Sequence, residues 1–254
     1  MFDLDTYAYT NRWIKIHPLE KFVFALATML VCLISPSVVV VGAVLLLMTV
    51  ASTKGAGTPV WHFLRFMMIP FSFILTGVLT IAFSVSHDPG GFLFGFTFGS
   101  ITVGASQANL MKAGFIFFKS LGAVSCLYFL SLTTPVLEVI SVLRKLKAPS
   151  LFLELMGLVY RFIFVLMDTT ALIRMSQTSR LGYVSAKNTF RSLSQLISSL
   201  FVRSFHRAGE LATALTARNY TGEIRTLEKE YPVSKRNYAV ILGIELGLLL
   251  LNFT

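Results

Sequence analysis

The sequence predicts an all-α integral membrane protein, with about five transmembrane helices and a cytoplasmic module of three helices inserted before the last span. The first observation is composition, because 55% of the 254 residues are hydrophobic and only 13% are charged, which is too apolar for an ordinary soluble domain. The second is that the apolar runs are long enough to cross a bilayer. The third is that most Lys and Arg residues lie between these runs, as expected for loops on the cytoplasmic side of a membrane.

The first apolar block, residues 22–51, predicts two short helices rather than one long helix. A single helix of about 30 residues rises about 45 Å, whereas the hydrocarbon core of a bilayer is roughly 30 Å thick. Pro36 interrupts the block, and proline removes a backbone donor and disfavours helical geometry in the residue before it. We therefore expect helices at residues 22–34 and 38–51, and the sequence leaves open whether they are separate spans.

Three further spans follow, at residues 63–83, 110–132 and 237–254. Residues 84–109 hold no Lys or Arg and alternate aromatic or branched residues with Gly and small polar residues. This pattern predicts an extracytoplasmic loop with a short hairpin. The predicted division is a membrane part at 1–132, a cytoplasmic module at 133–236, and the last span.

Positive charge sets the predicted orientation. If the first four spans alternate, the flanking basic residues all fall on one side: Arg12, Lys15, Lys21, Lys54, Arg144, Lys145 and Lys147. Basic loops stay in the cytoplasm, so the N-terminus and the module are predicted to be cytoplasmic in a multi-pass protein of the cell membrane. The formal net charge of +10 follows from the same bias, and we do not expect this chain to bind nucleic acid.

The module is predicted to contain helices at about 135–147, 151–180 and 189–217. The second begins with a run apolar enough for a span, but Arg161, Asp168 and the charge bias place it in the cytoplasm. The third carries one apolar stripe, because its large residues recur at steps of three and four. The stripe comprises Phe190, Leu193, Leu196, Ile197, Leu200, Phe201, Phe205, Ala208, Leu211, Ala212 and Leu215.

The two long helices of the module are predicted to end alike. Arg180 is followed within two residues by Gly182, and Arg218 is followed directly by Asn219. Gly and Asn are the residue types that accept the left-handed conformation that closes a helix. The helix dipole alone favours a terminal arginine by about 0.3–1 kcal/mol. The same ending on both helices indicates a pair of docking points.

Three motifs now resemble a known family. FHRAGELATALTARNY, residues 205–220, resembles the signature of the T components of energy-coupling factor (ECF) transporters, the transmembrane coupling subunits of vitamin and metal importers. QTSRLGY, residues 177–183, matches the position of the family's first arginine motif, with Leu181 where the family usually has Gly or another small residue. DTYAYTNRWIKIHPLEK, near the N-terminus, is similar to the opening of the cobalt-type T component, CbiQ. The resemblance covers the whole chain.

The resemblance implies that two arginines insert into grooves on a pair of CbiO-like cytoplasmic ATPase subunits. The implied docking residues are Arg180 and Arg218 with their neighbours Ser179, Leu181, Ala217 and Asn219. It also implies a CbiM-like substrate-binding membrane subunit, with a small CbiN-like subunit as an optional component. The implied interface with this membrane subunit comprises Phe190, Leu193, Leu196, Ile197, Leu200, Phe201, Phe205, Leu211, Leu215, Met156 and Met167.

The implied function is mechanical. ATP binding closes the ATPase subunits, and the long helices carry the motion to the membrane subunit, which releases its substrate inward. Cobalt is the expected substrate, with nickel and vitamin importers as alternatives. The surrounding lipid bilayer is the remaining expected partner.

A self-contained channel or carrier is an alternative of another class. It would place ionisable residues inside its spans, and only Lys112, Lys119 and Glu245 qualify. We expect these at a span end or at helix interfaces. We expect no catalytic residue, metal ligand or cofactor in this chain, with ATP bound by partner subunits, because it has no phosphate-binding loop, helix-borne His pair or nucleophile motif. His87 with Asp88 is expected to form a solvated turn.

Overall fold

A computed structural model describes residues 2–86, 94–98, 101–220, 231 and 234–252. Nearly all of the regular structure is helical. The helices are α1 (Phe2–Thr10), α2 (Pro18–Ile34), α3 (Val38–Val50), α4 (Val60–Ala82), α5 (Gln107–Thr133), α6 (Val136–Lys145), α7 (Ser150–Ser179), α8 (Ala186–Ala217) and α9 (Lys235–Leu250), with a 3₁₀ turn at Arg12–Lys15 and a π-helical turn at Ala51–Gly55. The strands are β1 (Phe83–Ser86), β2 (Phe94–Phe98) and β3 (Ile101–Ala105).

The chain divides into two compact units. The first comprises Met1–Val139 and Glu230–Thr254, and the second comprises Ile140–Lys229. The second unit is therefore inserted within the sequence of the first. The chain passes from the first unit to the second within α6 and returns to the first unit before α9. The prediction that the inserted part lies in the cytoplasm stays a prediction.

The core of the first unit is built around α5, which packs against α2, α3 and α4. Phe129 of α5 is fully buried and meets the rings of Trp13 and Phe24 edge to face, at centroid distances of 5.7 and 5.5 Å. Such aromatic pairs add about 0.5–1.5 kcal/mol beyond their buried area. Cys32 and Cys126 are both free and lie buried in this core.

The break at Pro36 is confirmed, because α2 ends at Ile34 and α3 begins at Val38. The short hairpin predicted in the long loop is also confirmed. Strand β3 lies between β1 and β2 and is antiparallel to both, with Phe96 opposite Val103 in the β2–β3 pair. His87 and Asp88, predicted to form a solvated turn, lie outside the described residues.

Four helical segments in the described part of the chain are long and apolar enough to cross a membrane: Val38–Gly55, Val60–Ala82, Gln107–Thr133 and Ser150–Ser179. The first three coincide with predicted spans. The helices at the first and last predicted spans, α2 and α9, have 17 and 16 residues and are shorter than these. The fourth is α7, whose length and hydropathy also permit a span, so its predicted cytoplasmic location depends on Arg161, Asp168 and the charge bias.

Candidate functional site: the arginine ends of two long helices

The second unit contains two helix ends that share one backbone geometry. Arg180 closes α7 with φ −98° and ψ 18°, and Arg218 closes α8 with φ −98° and ψ 17°. The residue after each arginine is left-handed, with φ 58° at Leu181 and 54° at Asn219. The prediction that the two helices end alike is therefore confirmed at the level of backbone angles.

The same hydrogen bonds close both helices. The amide two residues after the arginine donates to the carbonyl five residues before it, over 2.8 Å from Gly182 to Gln177 and over 3.1 Å from Tyr220 to Leu215. The left-handed residue also donates in each case to the carbonyl three residues before it, over 3.0 Å from Leu181 to Thr178 and over 3.1 Å from Asn219 to Thr216. This is the Schellman motif, which satisfies the last carbonyl groups of a helix. Each arginine thus occupies a fixed position at the final turn.

The prediction for Gly182 is wrong in its physical reason, because Leu181 and not Gly182 adopts the left-handed conformation. Gly182 is needed for a close approach instead. A Cβ atom at this position would lie 2.6 Å from Ser192 Oγ and 2.8 Å from the Gln177 carbonyl oxygen. Atoms do not tolerate such separations, so only glycine allows α8 to pass this close to the end of α7.

Side chains brace the Arg180 end against the beginning of α8. Ser192 Oγ donates to the carbonyl of Gly182 over 2.9 Å, and Gln177 Nε2 donates to the carbonyl of Ser192 over 2.9 Å. The Tyr183 hydroxyl donates to Gln177 Oε1 over 2.7 Å. Three hydrogen bonds therefore hold the turn that carries Arg180, and the position of this arginine follows that of α8.

The Arg218 end is fastened at the opposite end of the helix pair. The Tyr220 hydroxyl donates to the carboxylate of Glu154, in the first turns of α7. The other end lies beside Ser192, so α7 and α8 run antiparallel. From Ser192 to Arg218, α8 rises about 40 Å at 1.5 Å per residue. Arg180 and Arg218 are therefore separated by roughly the length of a helix, and one small site cannot bind both.

Both arginine side chains are exposed, as are the predicted flanking residues Ser179, Leu181, Ala217 and Asn219. Within the described part of the chain, neither guanidinium has a hydrogen bond or an ion pair. Each presents five fixed N–H donors that are free to bind a carboxylate or backbone oxygens. The docking role of these residues stays a prediction.

The predicted apolar stripe of α8 divides into two edges. One edge is exposed and comprises Phe190, Leu193, Ile197, Phe201 and Phe205. The other edge is partly or fully buried, because α7 packs against α8, and it comprises Leu196, Leu200, Leu211 and Leu215. The assignment of Leu196 to an external interface is wrong, since only 8% of it is exposed. Met156 and Met167 on α7 are half-buried.

The ionisable residues inside predicted spans lie where the sequence places them. Lys119 Nζ donates to the Ser35 carbonyl over 3.1 Å and lies over the ring of Phe115. Glu245 Oε1 accepts a hydrogen bond from Thr28 over 2.6 Å. Both side chains are thus engaged at helix interfaces, as a packed membrane protein requires, and Lys112 is exposed at the start of α5. In the described residues, no group of three His, Cys, Asp or Glu side chains is placed to hold a metal ion.

Sequence reasoning missed a buried polar cluster in the first unit. Glu20 and Lys21, adjacent in the first turn of α2, are only 1% and 2% exposed. Burial lowers the pKa of Lys21 from 10.5 to about 8, partly offset by Glu138. Burial and a hydrogen bond to Glu138 raise the pKa of Tyr231. The available signal is the pair of opposite charges just before an apolar run, but in the sequence alone Lys21 indicates only orientation.

The comparisons with known proteins now identify the family. The family model for the cobalt transport protein CbiQ matches residues 10–229. The chain belongs to the CbiQ family. A cobalt transport protein CbiQ from Salmonella typhimurium is 36% identical over 88% of this chain and 99% of its own length. An energy-coupling factor transporter transmembrane protein EcfT from Lactococcus lactis is 29% identical over 82% of this chain and 80% of its own length.

A third relative is named as a fusion of two transport proteins in one chain. It is described as a fused cobalt transport protein CbiMQ, from Methanocorpusculum labreanum, and is 31% identical over 72% of this chain and 31% of its own length. Members of the CbiQ family are transporter components, and this chain is the transmembrane T component of an ECF transporter. The helices of the first unit agree with a location in a membrane.

Proposed function

We propose that this CbiQ-family protein couples two cytoplasmic ATPase subunits to a substrate-binding membrane subunit in a cobalt importer. The observation that carries the proposal is the pair of exposed arginines, Arg180 and Arg218, each held at the end of a long helix in the same capping geometry. Two equal ends fit two equal partners, and a separation of about 40 Å requires two separate sockets.

Arginine suits this role because its guanidinium remains charged at physiological pH and binds carboxylate or backbone oxygens in a planar fork. The braces at Gln177, Ser192 and Tyr220 hold the turns that carry the arginines, so the backbone of these turns needs no further ordering when a socket closes around the side chains. ATP binding then brings the sockets together and moves one helix end relative to the other. In this proposal ATP binds to the partners, and this chain contributes no catalytic residue, cofactor or metal site.

The exposed edge of α8 is the surface that we assign to the membrane subunit. Phe190, Phe201 and Phe205 project from this edge and are each more than two-thirds exposed, and large exposed apolar surfaces mark interaction sites. A CbiM-like partner is supported by the relative named as a fused CbiMQ, since joined chains act in one assembly. A CbiN-like subunit remains an optional component of the same assembly.

Cobalt is the proposed substrate because the matching family and its relatives are named as cobalt transport proteins. Nickel and vitamin importers are the alternatives, and the EcfT relatives support the broader ECF class rather than one substrate. We also propose a cytoplasmic N-terminus, from the basic residues that flank the first four spans.

The test replaces the arginines in the complete transporter. Arg180→Glu and Arg218→Glu are expected to weaken retention of the ATPase subunits at least tenfold each, because a desolvated charge partner costs about 2–5 kcal/mol to remove. The double variant is expected to retain no ATPase and to import no cobalt, while the membrane fold persists. Copurification from mild detergent and cobalt uptake measure these effects.

The matched control is Arg203→Glu, an equal charge reversal at an exposed position in the middle of α8. It should leave ATPase retention within about fivefold of wild type, since an exposed charge contributes about 1 kcal/mol or less. Unchanged cobalt uptake in the Arg180→Glu, Arg218→Glu double variant would overturn the docking assignment. Import of nickel with no import of cobalt by the wild-type complex would overturn the assignment of cobalt as the substrate.

A further inference from the structure

The buried pair Glu20–Lys21 lies where the chain leaves the first unit and where it returns to it. Glu20 binds the returning segment, because its Oε1 accepts from the backbone N–H of Ser234 over 3.1 Å and its Oε2 accepts from Asn237 Nδ2 over 2.7 Å. Ser234 is the residue before α9, and Asn237 lies in its first turn. Both carboxylate oxygens of this buried side chain are thus committed to the start of the last helix.

Lys21 binds the outgoing segment. Its Nζ donates to the carbonyl of Thr133, the last residue of α5, over 2.9 Å and lies 3.9 Å from Glu138 Oε2 in the first turn of α6. Asn11 donates to the same Thr133 carbonyl over 3.2 Å. The end of α5 and the beginning of α6 are therefore both held by the residue next to Glu20.

A third contact joins the outgoing and returning segments directly. The Tyr231 hydroxyl, on the returning segment, donates to the carboxylate of Glu138 on the outgoing segment. The Tyr231 ring also meets the ring of His17 at a centroid distance of 6.1 Å. We call Glu20, Lys21, Glu138 and Tyr231 the stem clasp, because together they join the two stems of the inserted unit to α2. All four residues belong to the first unit.

Stability alone does not explain why such charges are buried. The Lys21 ammonium has three donors, yet among the described residues its polar contacts are one hydrogen bond, to Thr133, and one long ion pair, with Glu138. Buried ion pairs often contribute less to stability than apolar residues of the same size, and their best-attested use is to fix the register of neighbouring elements. The stem clasp fits that use, because it fixes where α6 begins and where α9 begins relative to α2.

We propose that Glu20 and Lys21 are positioning residues for coupling, which fix both stems of the inserted unit so that movement of its arginine ends is transmitted rather than absorbed at the stems. The inference rests on the proposed coupling function. A stem that slips relative to α2 removes the fixed base on which the inserted unit moves. The whole unit then shifts with the ATPase subunits, instead of its α8 surface moving against the membrane subunit. ATP is then hydrolysed with little transport.

The experiment uses the complete transporter in proteoliposomes and measures cobalt imported per ATP hydrolysed. Glu20→Gln and Lys21→Met are expected to lower this ratio at least about fivefold, the factor that corresponds to one lost hydrogen bond of about 1 kcal/mol. ATPase subunits should still copurify, and the hydrolysis rate should stay within about twofold of wild type. Lys21→Arg, which preserves the charge and the donors, should recover most of the ratio.

Two further variants make the result decisive. Lys15→Met removes an exposed charge close in sequence and should leave the ratio unchanged. Tyr231→Phe removes only the hydroxyl that contacts Glu138, so it decides the matter if Lys21→Met does not fold, and it should lower the ratio about twofold or more. A wild-type ratio in Glu20→Gln and Tyr231→Phe overturns the inference. Equal losses of assembly, hydrolysis and uptake also overturn it, because they indicate a purely structural contact.

The proposed function fails separately from this inference. It fails if the wild-type chain retains no ATPase subunits or if reversal of both Arg180 and Arg218 leaves retention intact. The stem clasp fails if those results hold as expected and the transport ratio of its variants equals that of wild type.

Discussion

Gly182→Ala is the substitution that most directly tests how the Arg180 end is built. The added methyl group would lie 2.6 Å from Ser192 Oγ and 2.8 Å from the backbone oxygen of Gln177. The serine cannot turn aside freely, because its hydroxyl is bonded to the carbonyl of Gly182 itself. The Gln177 oxygen is part of the last turn of α7 and accepts the capping bond from the same residue. Either the turn or the beginning of α8 must move.

The expected cost combines two effects. Inserting a methyl group into a filled space costs about 1–3 kcal/mol, and the two hydrogen bonds that lengthen contribute about 1 kcal/mol between them if each is half lost. No backbone term is added, since Gly182 is not left-handed. We therefore expect the free energy of unfolding to fall by about 2–4 kcal/mol. Retention of ATPase subunits should fall with it, because the turn carries Arg180.

The matched control is Gly209→Ala, in the same unit. A Cβ at Gly209 meets nothing within 4 Å, so the substitution should raise helix stability by up to about 1 kcal/mol. Denaturant unfolding in detergent measures the global effect, and hydrogen exchange of the amides from 177 to 192 measures the local one. Equal unfolding and exchange in Gly182→Ala and wild type would refute the assigned close approach.

Two other predictions concern single sites. Leu181→Gly should stabilise α7 by about 1 kcal/mol in the same unfolding assay, because a left-handed leucine costs about 1–2 kcal/mol and its side chain is exposed. The control is Leu172→Gly, at an exposed position within α7, which should destabilise the helix. Lys21 has its pKa lowered from 10.5 to about 8, so between these values the unfolded chain binds the extra proton and stability rises with pH. From pH ~7.5 to ~9.5, the free energy of unfolding of the wild type should rise by about 2 kcal/mol relative to that of Lys21→Met. At higher pH the raised pKa of Tyr231 acts in the opposite direction. Parallel pH profiles of the two proteins would contradict this prediction.

The stem clasp shows why the buried polar contacts of the first unit could not be predicted from the sequence. Lys21 and Glu138 are 117 positions apart, and Glu20 and Ser234 are 214 positions apart. No local pattern relates such residues, because their meeting depends on which helices pack together. A charge beside an apolar run is more often a solvated flank that marks orientation, and the sequence pattern around Lys21 does not differ from such a flank.

The stripe on α8 shows the same limit at shorter range. Periodicity correctly placed Leu196 and Phe201 on one broad apolar face. It did not show that α7 covers one edge and leaves the other exposed, since a pattern gives the direction of a side chain and not its neighbour. Leu196 is consequently buried while Phe201 is exposed.

The sequence by itself determined the helical class, the break at Pro36, the hairpin in the long loop and the common ending of the two long helices. These depend on hydropathy, helical period and capping, which act within a few residues and leave a mark in the order of residue types. Tertiary structure alone decided that Gly182 serves a close approach, that the arginine ends lie about 40 Å apart, and that Glu20 and Lys21 join two distant stems. These depend on contacts between elements far apart in the chain, where packing and the need to satisfy buried charge choose the partners.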